Sequence, residues 1–588
     1  MDELNELKLP YLSKAFATFL KEQSKDEHFV VLLAAAFVSY ELSRGEVYLD
    51  LNAFFKEQKE FNDVDVSSLE SYFVKDWKTL FSSSKLITQG NGESPLVWDK
   101  VNNRLYFRRY WTYQKTVDEA IEKRLVPIRK ELPVEITMQL NALFPVSGIT
   151  PDWQKIACAV ALRSKFSIIT GGPGTGKTTT LTKLLALSVL LLRLEKGNNF
   201  KPEILLAAPT GKAANRVSES INNALEKLET ITPEIKAAIP QKSGTIHRLL
   251  GSSANSRLKK HNRHNRLNAD IVIIDEASMI DLEMMAALLE ALSENTQLIL
   301  LGDKDQLSSV EPGYVFGNLC LDAEKDAYDK ETLDWISNYT DEKIKPKSGY
   351  ISAINQQTVM LKYSHRFNQD SGIGQLANFV NETDKDNMFD TDAIFKNHPK
   401  DLHKISSKDL KKVSTDGYSF YKNEIKNKAK YSTVDEWAEA VLKAFDKFRI
   451  LCAIHESELG TNALNNNVQE WLFKDEKSIW FEGRPVMITK NDYNLGLMNG
   501  DIGIALKKDG NLKVAFFSND DGAEKIRWFS TSRISDVQTA FALTVHKSQG
   551  SEFEHTLFVL PNDDVKVLTK ELYYTAITRA KSEFTQSS

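Results

Sequence analysis

The clearest chemistry in the sequence is carried by GGPGTGKT at positions 171–178. In such a loop the glycines let backbone N–H groups close around phosphates, the lysine reaches the β- and γ-phosphates, and the threonine hydroxyl binds Mg²⁺. The following helix N-terminus adds positive potential. We therefore predict a nucleotide site formed by Gly171, Gly172, Pro173, Gly174, Thr175, Gly176, Lys177, Thr178 and Thr179.

Two adjacent carboxylates, Asp275 and Glu276, come at the end of an apolar run in IVIIDEASMID (271–281). A carboxylate at the end of a strand beside a phosphate loop can hold Mg²⁺, and its neighbour can orient or deprotonate the attacking water. We assign Asp275 and Thr178 to Mg²⁺ and Glu276 to the general base. The two motifs predict ATP hydrolysis, but transporters, switches, kinases and motors all share them.

The elements that must position these residues follow from alternating β-rich and helical runs. Strands are predicted at Phe166–Thr170, Glu203–Ala208, Asp270–Ile274 and Gln297–Leu301, and a helix at Thr179–Leu194. This alternation indicates βαβ units and a parallel sheet whose active loops lie at the carboxyl ends of its strands. A second mixed block opens near Leu361, so the predicted fold class is α/β.

The first 125 residues contain no catalytic pattern. Helical periodicity runs through Tyr11–Phe19 and Phe29–Leu42, and extended segments are predicted at Leu96–Trp98 and Arg104–Tyr110. This region is interpreted as an accessory or docking domain.

Hairpin chemistry is concentrated in 484–533, where Asn-Gly (499–500) and two Asp-Gly pairs (509–510 and 521–522) separate short apolar runs. These turns predict a small barrel insert. The polar stretch 384–430 is predicted to be loops with short helices.

Composition restricts the setting. The chain has 588 residues, a net charge of −5 and a pI of about 6.2, which argues against non-specific wrapping in nucleic acid but allows a local basic track. Its three cysteines are far apart, so neither a disulfide framework nor a zinc ribbon is expected. We see no signal peptide, and the apolar run after the phosphate loop contains Lys183 and Arg193. A soluble, cytoplasmic protein is expected.

Further motifs indicate which class of ATP-hydrolysing protein this chain resembles. APTGKAANR (208–216), GTIHRLLG (244–251), LILLGDKDQLSSVEPG (298–313), YSHRFN (363–368), TVHKSQGSEF (544–553) and LYYTAITRAK (572–581) follow in that order. With the phosphate loop, they resemble the superfamily 1 helicases, specifically the RecD branch. The N-terminal segments 32–51 and 95–111 are similar to the docking domain of that branch.

The resemblance implies two RecA-like motor domains with small β inserts and a mainly α-helical N-terminal docking domain. The implied boundaries are 1–125, 126–360 (insert about 251–268) and 361–588 (insert about 484–533). It also implies ATP and Mg²⁺ as cofactors. The implied site roles are adenine recognition by Gln154, γ-phosphate sensing by Gln306, and charge stabilisation from the second motor domain by Arg366 and Arg579.

Candidate DNA contacts are also implied. Some residues match family positions that lie near the DNA strand or that couple the two domains. They are Thr210, Lys212, His247, Thr544, His546, Lys547 and Gln549. Packing at the domain interface is the alternative. The basic run RLKKHNRHNR (257–266) is either a solvated loop or a DNA-contacting insert, with Arg257, Lys259, Lys260 and Arg263 as the contacts.

The resemblance implies an ATP-dependent 5′→3′ helicase or translocase, acting on single-stranded and duplex DNA ends in double-strand break repair and recombination. RecB-like and RecC-like partners would complete a heterotrimer, with the nuclease centre in a partner chain. Alternatives are a regulatory interaction subunit with a dispensable ATPase, and an RNA helicase.

The family continues past ITRAK (577–581) with a strand and a tail. Here the chain stops at SEFTQSS, which leaves open whether the final strand forms.

Overall fold

The computed structural model describes residues 2–25, 27–56, 60–73, 76–145, 148–252, 258–347, 351–367, 370–384, 387–474, 476, 478–492, 494–518, 525–561 and 568–587. Arg257 and the Asp-Gly pair at 521–522 lie outside these residues. In this part of the chain, no helix combines the length and the apolar character that crossing a bilayer requires.

The N-terminal domain packs helices on a four-stranded sheet of order β1-β6-β5-β4. The helix Phe29–Ser43 is apolar on all sides, and most of its residues are buried by the elements around it. The elements are α1 (Asp2–Glu6), α2 (Tyr11–Gln23), α3 (Phe29–Ser43), β1 (Tyr48–Asp50), α4 (Leu51–Lys56), β2 (Glu60–Phe61), β3 (Val64–Asp65), α5 (Trp77–Ser83), β4 (Ile87–Thr88), β5 (Leu96–Asp99), β6 (Arg104–Phe107) and α6 (Arg108–Glu122).

The extended segment predicted for 104–110 is wrong over its last three residues, because α6 begins at Arg108. The backbone N–H of Arg108 donates to the Pro95 carbonyl at 2.8 Å. Its guanidinium donates to the Ser94 hydroxyl at 2.8 Å and to the Thr88 hydroxyl. These tertiary bonds hold the turn from strand to helix, and local propensity does not register them.

The first motor domain is built on a six-stranded parallel sheet of order β12-β7-β11-β10-β8-β9. The four predicted strands are confirmed with ends shifted by at most one residue. The elements are α7 (Val134–Leu143), α8 (Trp153–Arg163), β7 (Phe166–Gly171), α9 (Lys177–Lys196), β8 (Ile204–Ala208), α10 (Gly211–Lys227), α11 (Pro233–Lys236), β9 (Gly244–Thr245), α12 (Ile246–Leu249), β10 (Ile271–Ile274), α13 (Leu282–Ala291), β11 (Gln297–Gly302), α14 (Val315–Leu319), α15 (Lys330–Thr340) and β12 (Thr358–Leu361).

The second motor domain has a five-stranded parallel sheet of order β13-β22-β21-β14-β20. The elements are α16 (Gly372–Glu382), α17 (Asp392–Asn397), β13 (Leu402–Ile405), α18 (Leu410–Gly417), α19 (Ser419–Lys426), α20 (Val434–Phe445), β14 (Phe448–Cys452), α21 (Thr461–Leu472), β15 (Pro485–Ile488), β16 (Ile502–Lys508), β17 (Asn511–Ser518), β18 (Lys525–Ser530), β19 (Val537–Thr539), β20 (Ala542–Thr544), β21 (Phe553–Val559), α22 (Lys570–Thr578) and β22 (Ala580–Ser587).

The predicted insert is an antiparallel sheet of order β18-β17-β16-β15-β19. Asp509 and Gly510 have φ of 54° and 77° and form the tight turn between β16 and β17, which suits an Asp-Gly pair. Strand β19 extends the insert past residue 533. The stretch 384–430 contains α17, α18 and α19 as expected, but also strand β13, whose four residues give little strand signal.

The final strand forms: β22 lies inside the sheet and pairs with both β13 and β21. Phe584 on this strand is fully buried in a cluster with Phe558 and Tyr573. The strand that leads out of the Arg579 region is therefore an integral part of the second motor domain.

We predict that Phe584→Ala destabilises the second motor domain by about 3–5 kcal/mol, because it leaves a cavity in this core. Phe420 is 64% exposed and provides the control, with Phe420→Ala changing stability by no more than about 0.5 kcal/mol. Chemical denaturation followed by tryptophan fluorescence compares the two variants. Equal midpoints would contradict a structural role for β22.

Candidate active site

The carboxyl ends of β7, β10 and β11 meet at one edge of the first sheet, as parallel strands require. There a cavity of about 440 Å³ lies between the two motor domains. It is lined by the phosphate loop, by α10, by both predicted carboxylates and by residues of the second motor domain. The charged and polar side chains that line it include Lys177, Thr178, Arg216, Asp275, Glu276, Gln306, Arg366, Glu552 and Arg579.

The loop between β7 and α9 has the backbone shape that its glycines predict. Gly174 and Gly176 have φ of 75° and 83°, in the left-handed region where side chains are disfavoured. Lys177 Nζ donates to the carbonyl oxygens of Gly171 at 2.5 Å and Gly172 at 3.1 Å. The ammonium thus lies over the loop that it closes.

Close approach also requires these glycines. A Cβ on Gly174 would lie 2.4 Å from Arg366 Cβ, and one on Gly176 would lie 2.3 Å from Gln154 Nε2. Gln154 Nε2 donates to the Thr175 carbonyl at 3.0 Å. The residue predicted to read adenine and one predicted arginine therefore both contact the phosphate loop.

The two carboxylates lie directly after β10. The backbone N–H of Glu276 donates to Asp275 Oδ1 at 2.9 Å, and Glu276 itself has φ of 53°. Burial and the neighbouring Glu276 raise the pKa of Asp275 to about 6, against the opposing charges of Lys177 and Arg216. A nearby cation would stabilise the ionised carboxylate, as expected of a metal ligand.

Guanidiniums reach the cavity from both motor domains. Glu552 Oε1 accepts from Arg216 Nη2 at 2.5 Å, and its Oε2 accepts from Arg366 Nη2 at 2.7 Å. Although burial raises the pKa of Glu552, the two arginines bring it down to about 2. Arg579 is buried and donates to the Ser551 carbonyl at 3.1 Å.

Sequence reasoning missed Arg216 and Glu552 as site residues. Both stand inside motifs that were recognised, APTGKAANR and TVHKSQGSEF. Arg216 follows Lys212 by four residues, which places them on one face of α10 and was an available signal.

The residues present fit a magnesium–nucleotide polyphosphate. Arg366 Nη1 is buried and has no hydrogen-bond acceptor among the described residues. Such an orphan donor on a residue that lines the same cavity as Lys177 suits a phosphate oxygen. Thr178 and Asp275 both line the cavity and supply the oxygen ligands that Mg²⁺ prefers.

The residues predicted to contact DNA divide into two groups: buried residues, and residues that are partly or fully exposed. Thr544 and Gln549 are buried, and Gln549 Nε2 donates to the Leu307 carbonyl at 2.7 Å, which is a contact between the motor domains. Lys547 Nζ donates to Asn499 Oδ1 at 3.1 Å, beside the β insert. Thr210 caps α10, where its hydroxyl accepts from the Ala213 N–H.

Lys212 lies at the start of α10, where burial lowers its pKa and the carboxylates of Asp446 and Asp501 oppose the shift. His546 is half-buried after β20. In the basic insert, Lys260 and Arg263 are exposed, whereas Lys259 is half-buried. Partial burial and the charge of Lys259 lower the pKa of His247.

Comparison with known proteins decides the family. The model of the N-terminal domain of RecBCD enzyme subunit RecD matches residues 7–106, that of an AAA domain 154–312, and that of a UvrD-like helicase C-terminal domain 539–584. The RecBCD enzyme subunit RecD of Haemophilus influenzae is 37% identical over 95% of this chain and 89% of that protein. The chain belongs to the RecD family.

Two other relatives extend the comparison. The RecD subunit of Mycolicibacterium smegmatis is 33% identical over 94% of this chain and 88% of its own length. The ATP-dependent RecD2 DNA helicase of Deinococcus radiodurans is 27% identical over 71% of this chain and 46% of that protein. A Bacteroides Pif1 structure bound to single-stranded DNA covers 74% of this chain and 92% of its own, at 16% identity and a TM-score of 0.37.

We predict that Lys177→Gln lowers ATP hydrolysis by about 100-fold or more without unfolding the chain, because it removes the charge facing the phosphates. Lys196→Gln is the matched control. Lys196 ends the same helix and pairs with Asp270 at 2.7 Å, so hydrolysis should stay at the wild-type rate. Steady-state phosphate release measures both, and wild-type turnover by Lys177→Gln would contradict the assignment.

Proposed function

We propose that this RecD-family chain is the ATP-driven DNA motor subunit of a RecBCD-type helicase–nuclease that acts in double-strand break repair and homologous recombination. One observation carries the proposal: the first motor domain supplies the phosphate loop and both carboxylates, while the second supplies Arg366 and Arg579 to the same cavity. A site shared in this way links hydrolysis to the relative position of the domains.

The chain's own residues account for the hydrolytic step. Lys177 and the loop N–H groups bind the phosphates, and Glu276 orients and deprotonates the attacking water. Thr178 and Asp275 would hold Mg²⁺, which neutralises phosphate charge when bound. Arg366 and Arg579 stabilise the negative charge that develops on the transferred phosphoryl group, and Gln154 contacts the adenine.

Movement along DNA follows from opening and closing of the cleft. The proposed DNA contacts are Thr210, Lys212, His247, Lys259, Lys260, Arg263, His546 and Lys547, with Thr544 and Gln549 in coupling between the domains. Grip on phosphates by hydroxyl, amide and cationic groups reads no bases, which suits a motor that moves along any sequence. Polarity of 5′→3′ rests on the family resemblance alone.

Partners are part of the proposal. The relatives are named as subunits of the RecBCD enzyme, and we extend RecB-like and RecC-like partners to this chain, with the nuclease centre in a partner. Tyr11 and Leu12 at the start of α2 are 87% and 73% exposed, which supports docking through the N-terminal domain. The domain boundaries 1–125, 126–360 and 361–588 belong to the same proposal, although β12 extends to Leu361.

We predict that single-stranded DNA stimulates ATP hydrolysis by the purified chain about 10-fold or more, while RNA of equal length and sequence does not. Glu276→Gln is the control, since it keeps the fold and nucleotide binding but removes the base. Rates are measured with and without each oligonucleotide. Folded protein without stimulation would favour the regulatory interaction subunit, and stimulation by RNA would favour an RNA helicase.

We predict that Lys260→Ala/Arg263→Ala weakens binding to single-stranded DNA uniformly across sequences and lowers the slope of log affinity against log salt by about 1 to 2. Lys411→Ala/Lys412→Ala removes two equally exposed charges from α18 and should leave the slope unchanged. Fluorescence anisotropy at several salt concentrations compares them. Equal slopes for both pairs would make the basic insert a solvated loop.

A further inference from the structure

Asp303, at the end of β11, is a buried carboxylate that the hydrolytic assignments do not use. It is 1% exposed, and its two oxygens have separate partners. Oδ1 accepts from the backbone N–H of Asp305 at 3.1 Å. Oδ2 accepts both from Gln306 Nε2 at 2.9 Å and from Tyr574 Oη at 3.1 Å. The predicted γ-phosphate sensor and a tyrosine of the other motor domain therefore share one oxygen atom.

Tyr574 lies on α22 of the second motor domain and is 4% exposed. Its hydroxyl also lies against the phosphate loop, since a Cβ on Gly172 would come within 3.0 Å of it. Gly172 in turn supplies a carbonyl oxygen to Lys177 Nζ. The phenol thus occupies the space between the anchor of Gln306 and the loop that binds phosphates.

The neighbouring backbone is held by the same domain. The Leu307 N–H donates to Thr575 Oγ1 at 2.9 Å, and the Leu307 carbonyl accepts from Gln549 Nε2 at 2.7 Å. The backbone of Leu307, at one end of the Asp303–Leu307 segment, is therefore bound to the second motor domain through both its N–H and its carbonyl. At the other end, the bond from Tyr574 contacts the Asp303 side chain and not the backbone.

We infer that Tyr574 is a positioning residue for ATP hydrolysis: its phenol, supplied by the second motor domain, holds the Asp303 carboxylate in the orientation that anchors Gln306. This inference rests on the proposed ATPase function. Because Asp303 Oδ2 accepts from Gln306 Nε2, the Asp303 carboxylate fixes which end of the Gln306 amide faces it. Gln306 is then ordered for phosphate sensing only when α22 of the second domain is in place.

The electrostatics of the group suit a fixed donor. Burial and the carboxylates of Asp303 and Asp305 raise the pKa of Tyr574 well above its usual range, so the phenol keeps its proton. Burial raises the pKa of Asp303, while Lys177, Gln306 and Tyr574 act in the opposite direction. Removal of the phenol hydroxyl takes one stabilising partner from a buried carboxylate without adding or removing charge.

Tyr574→Phe tests the inference, because it keeps the ring and removes only the hydroxyl. We expect kcat for DNA-stimulated hydrolysis to fall about 10-fold, with a much smaller change in KM for ATP. Tyr573→Phe is the matched control, since this adjacent phenol of the same helix is also buried and donates instead to Gln586 on β22. Its kcat should stay within about two-fold of wild type. An unchanged kcat in Tyr574→Phe would overturn the inference.

Two further measurements separate positioning from packing. Gln306→Ala and the double variant Tyr574→Phe/Gln306→Ala should lose the same activity, because a residue that acts through Gln306 adds nothing once it is gone. Additive losses would contradict this route. Binding of ADP–aluminium fluoride and of ADP gives a readout without turnover. Tyr574→Phe should bind ADP–aluminium fluoride more weakly than the wild type does and bind ADP equally well. An affinity for ADP–aluminium fluoride equal to that of the wild type would overturn the inference. If the wild-type chain does not hydrolyse ATP, but Tyr574→Phe still weakens only the binding of ADP–aluminium fluoride, the result contradicts the proposed function and not the positioning role of Tyr574.

Discussion

The Glu552 carboxylate, held between Arg216 and Arg366, is the interaction on which the arrangement around the cavity depends. Without Glu552, Arg216 and Arg366 would face each other in a cavity that also contains Lys177 and Arg579, and among the described residues that line it only Asp275 and Glu276 would oppose the four positive charges. Glu552 supplies the negative charge that lies between the two arginines, and its low pKa keeps it ionised. A polyphosphate that binds the same cations must compete with it, so nucleotide binding and contact between the domains are thermodynamically linked.

A second contact between the domains lies where α22 meets the Asp303–Leu307 segment, and it consists of directional hydrogen bonds. Such bonds contribute about 1 kcal/mol each between neutral groups and about 1.5–3 kcal/mol when one partner is a carboxylate such as Asp303. The ion pairs of Glu552 and the hydrogen bonds of α22 therefore join the two motor domains at separate points, and the bonds of α22 depend on the orientation of that helix.

Local features were predictable and distant pairings were not. Glycine spacing and apolar runs are properties of a few consecutive residues, so the phosphate loop, the Asp275–Glu276 pair and the strands of the first sheet could be placed from sequence. The pairing of Arg216 with Glu552 joins residues more than 300 positions apart. Nothing local to either residue encodes it. The short strand β13 was missed for a related reason, because it forms only where β22 lies beside it.

The N-terminal domain contacts the segments that carry the chemistry. Helix α6 packs on α13, which follows the Asp275–Glu276 pair, through apolar side chains such as Val117 and Met285, with an ion pair between Arg109 and Glu283 at the surface. The Gly313 N–H, in the loop after Gln306, donates to the Gly45 carbonyl at 3.0 Å. The left-handed backbone of Glu276 costs on the order of 1 kcal/mol and persists only where its surroundings impose it. Because α6 packs on α13, which begins six residues after Glu276, the N-terminal domain contributes to the surroundings that hold this backbone.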